Sequence, residues 1–335
     1  MGRFQPLTVA AVDRITDDAV TVTFAERVPF VAGQHLTLRT RLDGVEVRRS
    51  YSICSPYGGP LRIAVKRLPG GAFSEHANTV LRPGDVLEAM PPLGRFHTPL
   101  HPESSRHHLA IAAGSGITPV LSLLATTLAV EPRSRFSLVY GNRTAREVMF
   151  AEELADLKDR YGARLNLLHV LSREPQEAPI ASGRIDAGKL RALLPLLGPA
   201  EHAYLCGPAG LVEEARKALD GSGRVHYELF YAGEPAPRPG AAAKGARLGF
   251  TLDGRTAEVA VDDGESLLGA ALRARSDAPY ACRGGVCGTC RVRLVEGRVE
   301  MGQNYALEPE ELEAGYVLAC QSRPASPRVT VDFDA

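Results

Sequence analysis

The chain has 335 residues, with 39 basic and 39 acidic side chains and therefore no formal net charge at neutral pH. At about 100–200 residues per domain this length predicts two or three domains, and the balanced charge indicates neither a nucleic-acid partner nor a membrane surface. The N-terminus has no basic and apolar leader, and the longest apolar stretch, 117–130, is too short to span a bilayer. With only six cysteines, four of them grouped near the C-terminus, a disulfide scaffold is disfavoured and a reducing, cytoplasmic compartment is expected.

The first hundred residues contain short β-rich runs separated by Gly and Pro. Five runs are predicted as strands, at 19–24, 35–39, 49–53, 61–65 and 86–89. Many short strands with turn signals between them are typical of an antiparallel barrel.

After residue 104 the pattern changes to apolar strands that alternate with helical segments. The predicted strands are 109–113, 136–140, 165–171 and 203–206, and the predicted helices are 120–128, 148–161, 187–194 and 210–219. This alternation predicts a parallel α/β sheet.

A Pro-, Gly- and Ala-rich segment at 232–246 has no apolar periodicity and is predicted to be a linker. Beyond it, a hairpin of strands 248–252 and 256–261 around Asp253-Gly254 and a helix at 266–274 are expected. From Arg247 onward there are 14 acids and 10 arginines, a net charge of −4 that suits an acidic electron carrier. The four predicted segments are thus 1–103, 104–231, 232–246 and 247–335.

Four cysteines near the C-terminus form the strongest motif. Cys282, Cys287 and Cys290 have the spacing C-x4-C-x2-C, and Cys320 follows thirty residues later. This is the pattern that holds a plant-type [2Fe–2S] cluster on four thiolates. Gly284, Gly285 and Gly288 are expected to let the loop turn tightly with its N–H groups aimed at the sulfurs. Zinc or disulfides are less favoured alternatives, because the segment from residue 247 onward contains no His.

Two neighbouring motifs in the first domain suit a flavin. Arg49, Tyr51 and Ser52 form R-x-Y-S on one predicted strand, where they would offer a cation to the pyrophosphate, an aromatic plane to the ring and a hydroxyl to its N5 edge. The following turn would let the backbone approach a phosphate at a helix N-terminus. Its predicted cofactor-binding residues are Val65, Lys66, Gly71, Ala72, Phe73 and Ser74. R-x-Y-S followed by G-G-x-x-S resembles the flavin domain of the ferredoxin–NADP reductase superfamily.

The second domain begins with a strand, a glycine turn and a helix start that include Gly114, Gly116, Thr118 and Pro119. Pro119 replaces the third glycine of the dinucleotide fingerprint G-x-G-x-x-G, and the same superfamily has G-x-G-x-x-P here. The resemblance implies that the two glycines admit the pyrophosphate and that Thr118 lies near flavin and nicotinamide. Cys206, Gly207 and Pro208 are similar to the superfamily's nicotinamide-side motif.

The arginines that follow two successive strands indicate which dinucleotide binds. A 2′-phosphate requires cationic partners, and the candidates are Asn142 with Arg143, Ser172 with Arg173, and Arg184. In NADPH-using relatives a Ser-Arg pair after this strand contacts the 2′-phosphate. The sequence therefore favours NADPH over NADH.

Two further groups of residues are interpreted as structural. His97, His101, His107 and His108 surround the first domain junction, but their spacing matches no usual metal site, and a polar surface loop is expected. Cys54 is expected to be a small packing residue.

The order of flavin barrel, nucleotide domain and C-terminal ferredoxin is similar to that of oxygenase reductases. Over nearly its full length the chain resembles the reductase subunits of the di-iron epoxidases that act on phenylacetyl-CoA in phenylacetate degradation. The segments that carry this resemblance are 51–55, 65–71, 90–96, 305–309 and 315–321. The resemblance implies electron transfer from NADPH through FAD and [2Fe–2S], a β-grasp ferredoxin domain, and catalytic roles for Tyr51, Ser52, Thr118 and Cys206.

The motifs alone permit two other functions. The chain could serve a Rieske-type ring dioxygenase or another di-iron hydroxylase, or it could be a redox sensor whose flavin and cluster report state without turnover.

Overall fold

The computed structural model describes residues 4–230, 243 and 245–335. It divides into two compact units, one with residues 4–47 and 51–230 and the other with residues 48–50 and 245–335. The predicted linker at 232–246 lies largely outside the described residues. Ala246, at its end, is buried, and its carbonyl accepts a hydrogen bond from the Val261 N–H. In the described part of the chain no helix has both the length and the apolar character needed to cross a lipid bilayer.

Six strands form the first sheet, in the order β4-β3-β6-β1-β2-β5. They are β1 (Gln5–Thr16), β2 (Ala19–Phe24), β3 (His35–Leu42), β4 (Val45–Ser52), β5 (Arg62–Lys66) and β6 (Val86–Ala89), with helix α1 (Ala72–Thr79) between the last two. The pairs β1–β2, β1–β6, β2–β5 and β3–β6 are antiparallel. Ile53, directly after β4, bridges to Ile63 in β5 and so joins the two edges of the sheet. The predicted antiparallel barrel is confirmed.

Strand β1 is the barrel element that the sequence pattern missed. Among its twelve residues only Leu7 and Val9 are buried, and its register with β2 shifts twice. A strand with so few core-facing residues has no regular alternation of apolar and polar side chains by which it could be recognised.

Five parallel strands form the second sheet, in the order β11-β10-β7-β8-β9. They are β7 (His107–Ala113), β8 (Arg135–Asn142), β9 (Leu165–Leu171), β10 (His202–Gly207) and β11 (Arg224–Leu229). The helices between them are α2 (Ile117–Val130), α3 (Ala151–Tyr161), α4 (Ala187–Leu197) and α5 (Ala209–Ala218). The chain runs from β7 outward to β9 and then returns to β10 on the other side of β7. The carboxyl end of β7 is therefore the topological switch point, where open α/β sheets bind ligands.

The amino ends of this sheet contain histidines that were expected in a surface loop. That expectation is wrong for His107 and His108, which are 4% and 0% exposed at the start of β7. His108 stacks on Phe136, with ring centroids 5.8 Å apart, and its Nε2 lies 3.2 Å from Oε2 of the fully buried Glu131. The imidazoles are hydrogen-bonded parts of the core, a role that a linear sequence does not reveal.

The third sheet has the order β13-β12-β18-β14-β16, with β12 parallel to β18 and the other pairs antiparallel. Its strands are β12 (Arg247–Leu252), β13 (Arg255–Ala260), β14 (Arg291–Glu296), β16 (Tyr316–Leu318) and β18 (Arg328–Asp332). A separate pair joins β15 (Val299–Met301) to β17 (Ser322–Pro324), and the helices are α6 (Leu267–Ala274) and α7 (Pro309–Glu313). A helix packed on a mixed sheet of this kind is the expected β-grasp arrangement.

Local residue choices explain how this last unit begins. Asp253 and Gly254 have φ of +52° and +69°, the left-handed pair that a two-residue hairpin turn requires. Ser266 caps α6, because its Oγ accepts a hydrogen bond from the Gly269 N–H at 3.1 Å. The hairpin around Asp253-Gly254 was predicted from the sequence, and the helix was predicted with a start one residue earlier, at Ser266.

Candidate functional site

The two flavin motifs meet where β4 faces the start of α1. The rings of Tyr51 and Phe73 pack with centroids 5.3 Å apart, and Phe73 is buried. Ser52 is buried, whereas Arg49 is exposed and donates from Nη1 to the carbonyl of Arg48. The structure therefore brings the aromatic ring of Tyr51 to the helix that follows the glycine turn, although the two lie apart in sequence.

The glycine turn before α1 is held by Ser74. Its Oγ accepts from the Leu68 N–H and donates to the Gly71 carbonyl, each at 3.1 Å. A Cβ on Gly71 would lie 2.5 Å from this oxygen, so a side chain there would displace it. No side chain caps the N-terminus of α1, which leaves its first N–H groups, beginning at Ala72, available to a phosphate.

The two remaining predicted flavin residues lie at the end of β5, which contacts the Gly114–Gly116 turn. Val65 is fully buried in the barrel core. Lys66 extends beyond it, with Nζ 3.4 Å from Oδ2 of Asp18 and 3.7 Å from Oε2 of Glu147. Lys66 is thus already paired with carboxylates from both sides of the site.

The glycine turn of the nucleotide sheet is packed directly against the end of β10. A Cβ on Gly116 would lie 2.2 Å from the carbonyl oxygen of Cys206, so only glycine fits. Gly114 has φ +54°, and its carbonyl accepts from the Tyr140 hydroxyl at 3.0 Å. Thr118, buried at the start of α2, donates from Oγ1 to the carbonyl of Ser115 at 3.0 Å.

The residues around this turn complete the dinucleotide motif. Pro119 is buried in the first turn of α2. Gly207 ends β10, and Pro208 forms the N-cap of α5. The turn after β7 and the motif after β10 therefore lie side by side at the switch point, as a bound dinucleotide requires.

A carboxylate that sequence reasoning missed lies at the same place. Glu228 in β11 is paired in register with Cys206, and its Oε1 accepts from the Ser52 hydroxyl at 3.4 Å. Burial, and then the charge of Glu228, raise the pKa of Cys206, so the thiol keeps its proton. The only sequence signal for Glu228 was one acid within the short run 224–229, which was not recognised as a strand.

The proposed 2′-phosphate residues share one edge of the sheet. Beyond β8 and β9 the backbones stay paired, because the N–H groups of Ser172 and Arg173 donate to the carbonyls of Asn142 and Arg143 at 2.9 and 2.8 Å. Arg184 follows Gly183, whose N–H donates to the carbonyl of Leu171 at the end of β9.

The side chains of this edge combine exposed cations with a buried amide. Arg143, Arg173 and Arg184 are exposed, and Nε of Arg143 donates to Oε2 of Glu147 at 2.5 Å. Among the residues that the structure describes, neither the nitrogen nor the oxygen of the buried Asn142 carboxamide has a partner at hydrogen-bond distance. Such an amide beside three arginines fits a polar nucleotide.

The four cluster cysteines come together in two pairs. Cys282 and Cys287 lie close enough to shift each other's pKa, and the same holds for Cys290 and Cys320. In the described part of the chain no three His, Cys, Asp or Glu side chains converge as ligands of one ion, and all six cysteines are free thiols. Two pairs of thiolates fit a cluster with two irons better than a single zinc ion or disulfides.

The backbone of this loop stabilises negative charge on the sulfur of Cys282. The N–H groups of Gly284 and Cys287 point at Sγ of Cys282, at 3.3 and 3.4 Å. The Cys287 thiol and then these N–H groups lower the pKa of Cys282 to about 6. Gly285 and Gly288 have φ of +74° and +68°, as the predicted tight turn requires, and the third left-handed residue of the loop is Arg283 at +51°. A loop that favours thiolates in this way suits metal ligation.

Comparisons with known proteins match this architecture part by part. Residues 7–98 match the oxidoreductase FAD-binding domain, residues 110–217 the oxidoreductase NAD-binding domain, and residues 250–325 the 2Fe-2S iron-sulfur cluster binding domain. FAD, a nicotinamide dinucleotide and a [2Fe–2S] cluster are accordingly the cofactors of this chain, and it is an oxidoreductase.

Full-length relatives have the same arrangement. The chain is 46% identical to one subunit of the 1,2-phenylacetyl-CoA epoxidase of Escherichia coli (strain K12), over 100% of this chain and 99% of that protein. It is 35% identical to the ferredoxin reductase component of 3-ketosteroid-9-alpha-monooxygenase of Rhodococcus rhodochrous, over 98% and 96%. The solved structure of phthalate dioxygenase reductase superposes with a TM-score of 0.61 at 25% identity, covering 98% of each chain.

Proposed function

Because this chain belongs to the flavin- and [2Fe–2S]-containing oxygenase reductases of the ferredoxin–NADP reductase superfamily, we propose that it supplies electrons from NADPH to the di-iron component of a phenylacetyl-CoA epoxidase. The main support is the 46% identity, over the full chain, to a component of that epoxidase. The oxygenase type, the thioester substrate and a cytoplasmic location are parts of this proposal, and the free buried thiols Cys54 and Cys206 favour a reducing compartment.

We propose the domain limits 1–103, 104–231, 232–246 and 247–335. The matches at 7–98, 110–217 and 250–325 fall inside the three larger segments. Each proposed domain would hold one cofactor.

The flavin barrel would bind FAD through the two motifs that meet at α1. Bound FAD accepts an electron pair from the nicotinamide and releases electrons singly to the iron–sulfur cluster. Arg49 and the N-terminus of α1 with Gly71 would hold the pyrophosphate, and Tyr51, backed by Phe73, would provide the apolar surface for the ring. Ser52 is buried and held by Glu228, so its hydroxyl has a fixed direction.

The nucleotide side would place the nicotinamide between the glycine turn and the end of β10. Gly116 leaves room for a close approach, and Thr118 keeps the turn rigid through its bond to Ser115. Cys206 is fully buried and its Sγ remains protonated, so it offers an uncharged surface from which water is excluded. The carboxylate of Glu228 accepts a hydrogen bond from the Ser52 hydroxyl, and its charge helps to raise the pKa of Cys206.

The remaining residues would determine which dinucleotide binds and would hold the cluster from which electrons leave the protein. Arg143, Arg173, Arg184 and Ser172 would bind the 2′-phosphate, which distinguishes NADPH from NADH. Cys282, Cys287, Cys290 and Cys320 would hold the cluster, from which the oxygenase takes its electrons.

Reconstitution tests the proposed partner. The purified holoprotein is combined with the oxygenase subunits of a phenylacetyl-CoA epoxidase, and we expect NADPH consumption that depends on phenylacetyl-CoA and matches the epoxide formed. Reduction of an artificial acceptor such as ferricyanide is the control for an active reductase. An active reductase that fails with this oxygenase, but supports a ketosteroid or ring-hydroxylating oxygenase, would refute the proposed partner and leave the reductase activity standing.

A further inference from the structure

Gln321, the residue after the fourth cluster cysteine, joins both ends of the cluster site. Its Nε2 donates to the carbonyl oxygen of Arg283 at 2.7 Å and lies 3.6 Å from Sγ of Cys320. Arg283 and Gln321 are 38 positions apart in sequence. One carboxamide thus contacts the loop that holds the first three cysteines and also the sulfur of the fourth.

The carbonyl that Gln321 binds belongs to a strained residue. Arg283 has φ +51°, a left-handed conformation that a side chain other than glycine seldom adopts. Such a conformation persists only where the surroundings fix it. The hydrogen bond from Gln321 to the Arg283 carbonyl is a tertiary contact that holds the backbone of Arg283 in this conformation.

Gln321 also occupies the space that Gly285 leaves open. A Cβ on Gly285 would lie 3.1 Å from Cγ of Gln321 and 2.9 Å from the carbonyl oxygen of Gln303. The loop and the Gln321 side chain are therefore packed together, and the glycine is required partly because this glutamine is present.

We propose that Gln321 is a positioning residue for the [2Fe–2S] cluster, which fixes the 282–285 segment and raises the reduction potential of the cluster through its bond to the Cys320 sulfur. The electrostatic reason is general. Reduction adds negative charge to the cluster, and an N–H that points at a ligand sulfur stabilises that charge, so the potential rises. The donor here is a side-chain amide, so substitution of a single residue removes it.

Two substitutions of nearly the same shape separate packing from hydrogen bonding. Gln321→Met keeps the methylene chain that lies against Gly285 but has no donor. Gln321→Glu keeps the shape and replaces the donor with a negatively charged acceptor. The matched control is Gln303→Met, which changes the other glutamine beside Gly285 at its side chain and leaves its backbone carbonyl in place.

The measurement is the midpoint potential of the cluster in the full-length holoprotein, from an anaerobic redox titration followed by electron paramagnetic resonance of the reduced cluster. We expect the potential to fall from wild type to Gln321→Met and further to Gln321→Glu, with Gln303→Met at the wild-type value. Equal potentials for the wild type and both Gln321 variants, each with full iron content, would overturn the proposal.

A second measurement tests the proposal even if the Gln321 variants take up no cluster and therefore give no potential. Wild-type protein and the Gln303→Met variant, both labelled with ¹⁵N in the glutamine side-chain amides, are reduced, and pulsed electron paramagnetic resonance is recorded. We expect a coupling to one amide ¹⁵N in both proteins. Absence of this coupling would refute the bond to Cys320 whatever the variants do.

Discussion

Glu147 connects the flavin barrel with the proposed 2′-phosphate site. Its Oε2 accepts from Nε of Arg143 at 2.5 Å and lies 3.7 Å from Nζ of Lys66. A phosphate that binds Arg143 must compete with this carboxylate. Partly exposed pairs of this kind contribute up to about 1 kcal/mol, so Glu147→Gln should tighten NADPH binding roughly two- to fivefold and leave NADH binding unchanged. Dissociation constants for both dinucleotides, measured on the holoprotein, provide the check.

Two further variants decide whether Arg143 carries this effect. Glu213→Gln removes another carboxylate of an i,i+4 pair, Glu213 with Lys217 at 2.8 Å, and should change neither affinity. Adding Arg143→Ala to Glu147→Gln should abolish the gain. An equal gain for NADH, or a gain that survives loss of Arg143, would contradict a role in 2′-phosphate binding.

Individual residues were predictable from sequence where they lie in a contiguous motif. Tyr51 and Ser52, the glycines of the 114–119 turn and the cluster cysteines were found in this way. Glu228 and Glu147 were not, because their significance depends on residues distant in the chain. Ser52 and Glu228 are 176 positions apart, and neither carries a local signal for the other. The roles predicted for the flavin, nucleotide and cluster residues remain predictions.

At the scale of elements, the cluster loop owes its shape to glycine at one crowded position. Gly285 combines φ +74° with the nearby Gln303 carbonyl and Gln321 Cγ. Gly285→Ala should therefore displace the loop and reduce iron content by about half or more, since strain of roughly 1–3 kcal/mol is added to a steric clash. Iron per protein and the visible absorbance of the cluster are the measurements.

Gly254 offers a matched control for backbone strain alone. Its φ of +69° is similar, but nothing lies within 4 Å of a Cβ placed there. Gly254→Ala should thus cost some stability and leave the iron content of the full-length protein intact. If both variants lost iron equally, crowding at Gly285 would not be the cause.

In the second sheet, secondary structure followed the sequence where apolar residues formed an unbroken run. β9 was predicted with the bounds that the structure has, and β7, β8 and β10 differ by at most two residues at either end. β1 and the edge strand β11 were missed, because β1 buries two residues and β11 one. The strands that follow the cluster loop, β14 to β18, were not predicted either. Sheet order and closure of the barrel through Ile53 and Ile63 depend on pairings that no local pattern encodes.

At the scale of the whole molecule, a buried charge cluster at the amino ends of the second sheet contributes to the response to acid. Burial lowers the pKa of His108 to about 4. For Glu131 burial acts in the opposite direction, but hydrogen bonds from Arg106, from the Ser134 hydroxyl and from the His101 N–H outweigh it and lower the pKa to about 2. The native structure therefore holds a neutral imidazole beside an ionised carboxylate.

The direction of the pH effect follows from proton binding in the two states. An unfolded histidine titrates near pH 6.5, so between about pH 6.5 and pH 4 the unfolded chain binds a proton at His108 that the folded chain does not. Stability is then full above about pH 6.5 and is lost as the pH falls through this window. Glu131 extends the loss below about pH 4.5, because it is protonated in the unfolded chain before the folded one. The loss from His108 alone is on the order of 3 kcal/mol.

We expect His108→Phe to lower the stability of the holoprotein at pH 7.5, because Glu131 loses a partner, and to weaken its dependence on pH between 6.5 and 4. The stacking on Phe136 can be kept by the new ring. Thermal release of FAD, followed by flavin fluorescence at pH 7.5, 6.0 and 5.0, reports on the unit that contains this cluster. His101→Gln, at an exposed position whose N–H to Glu131 is retained, is the control and should keep the wild-type pH dependence. An unchanged pH dependence in His108→Phe would assign the acid sensitivity of this unit to other groups, because removal of the buried imidazole removes its proton uptake on unfolding.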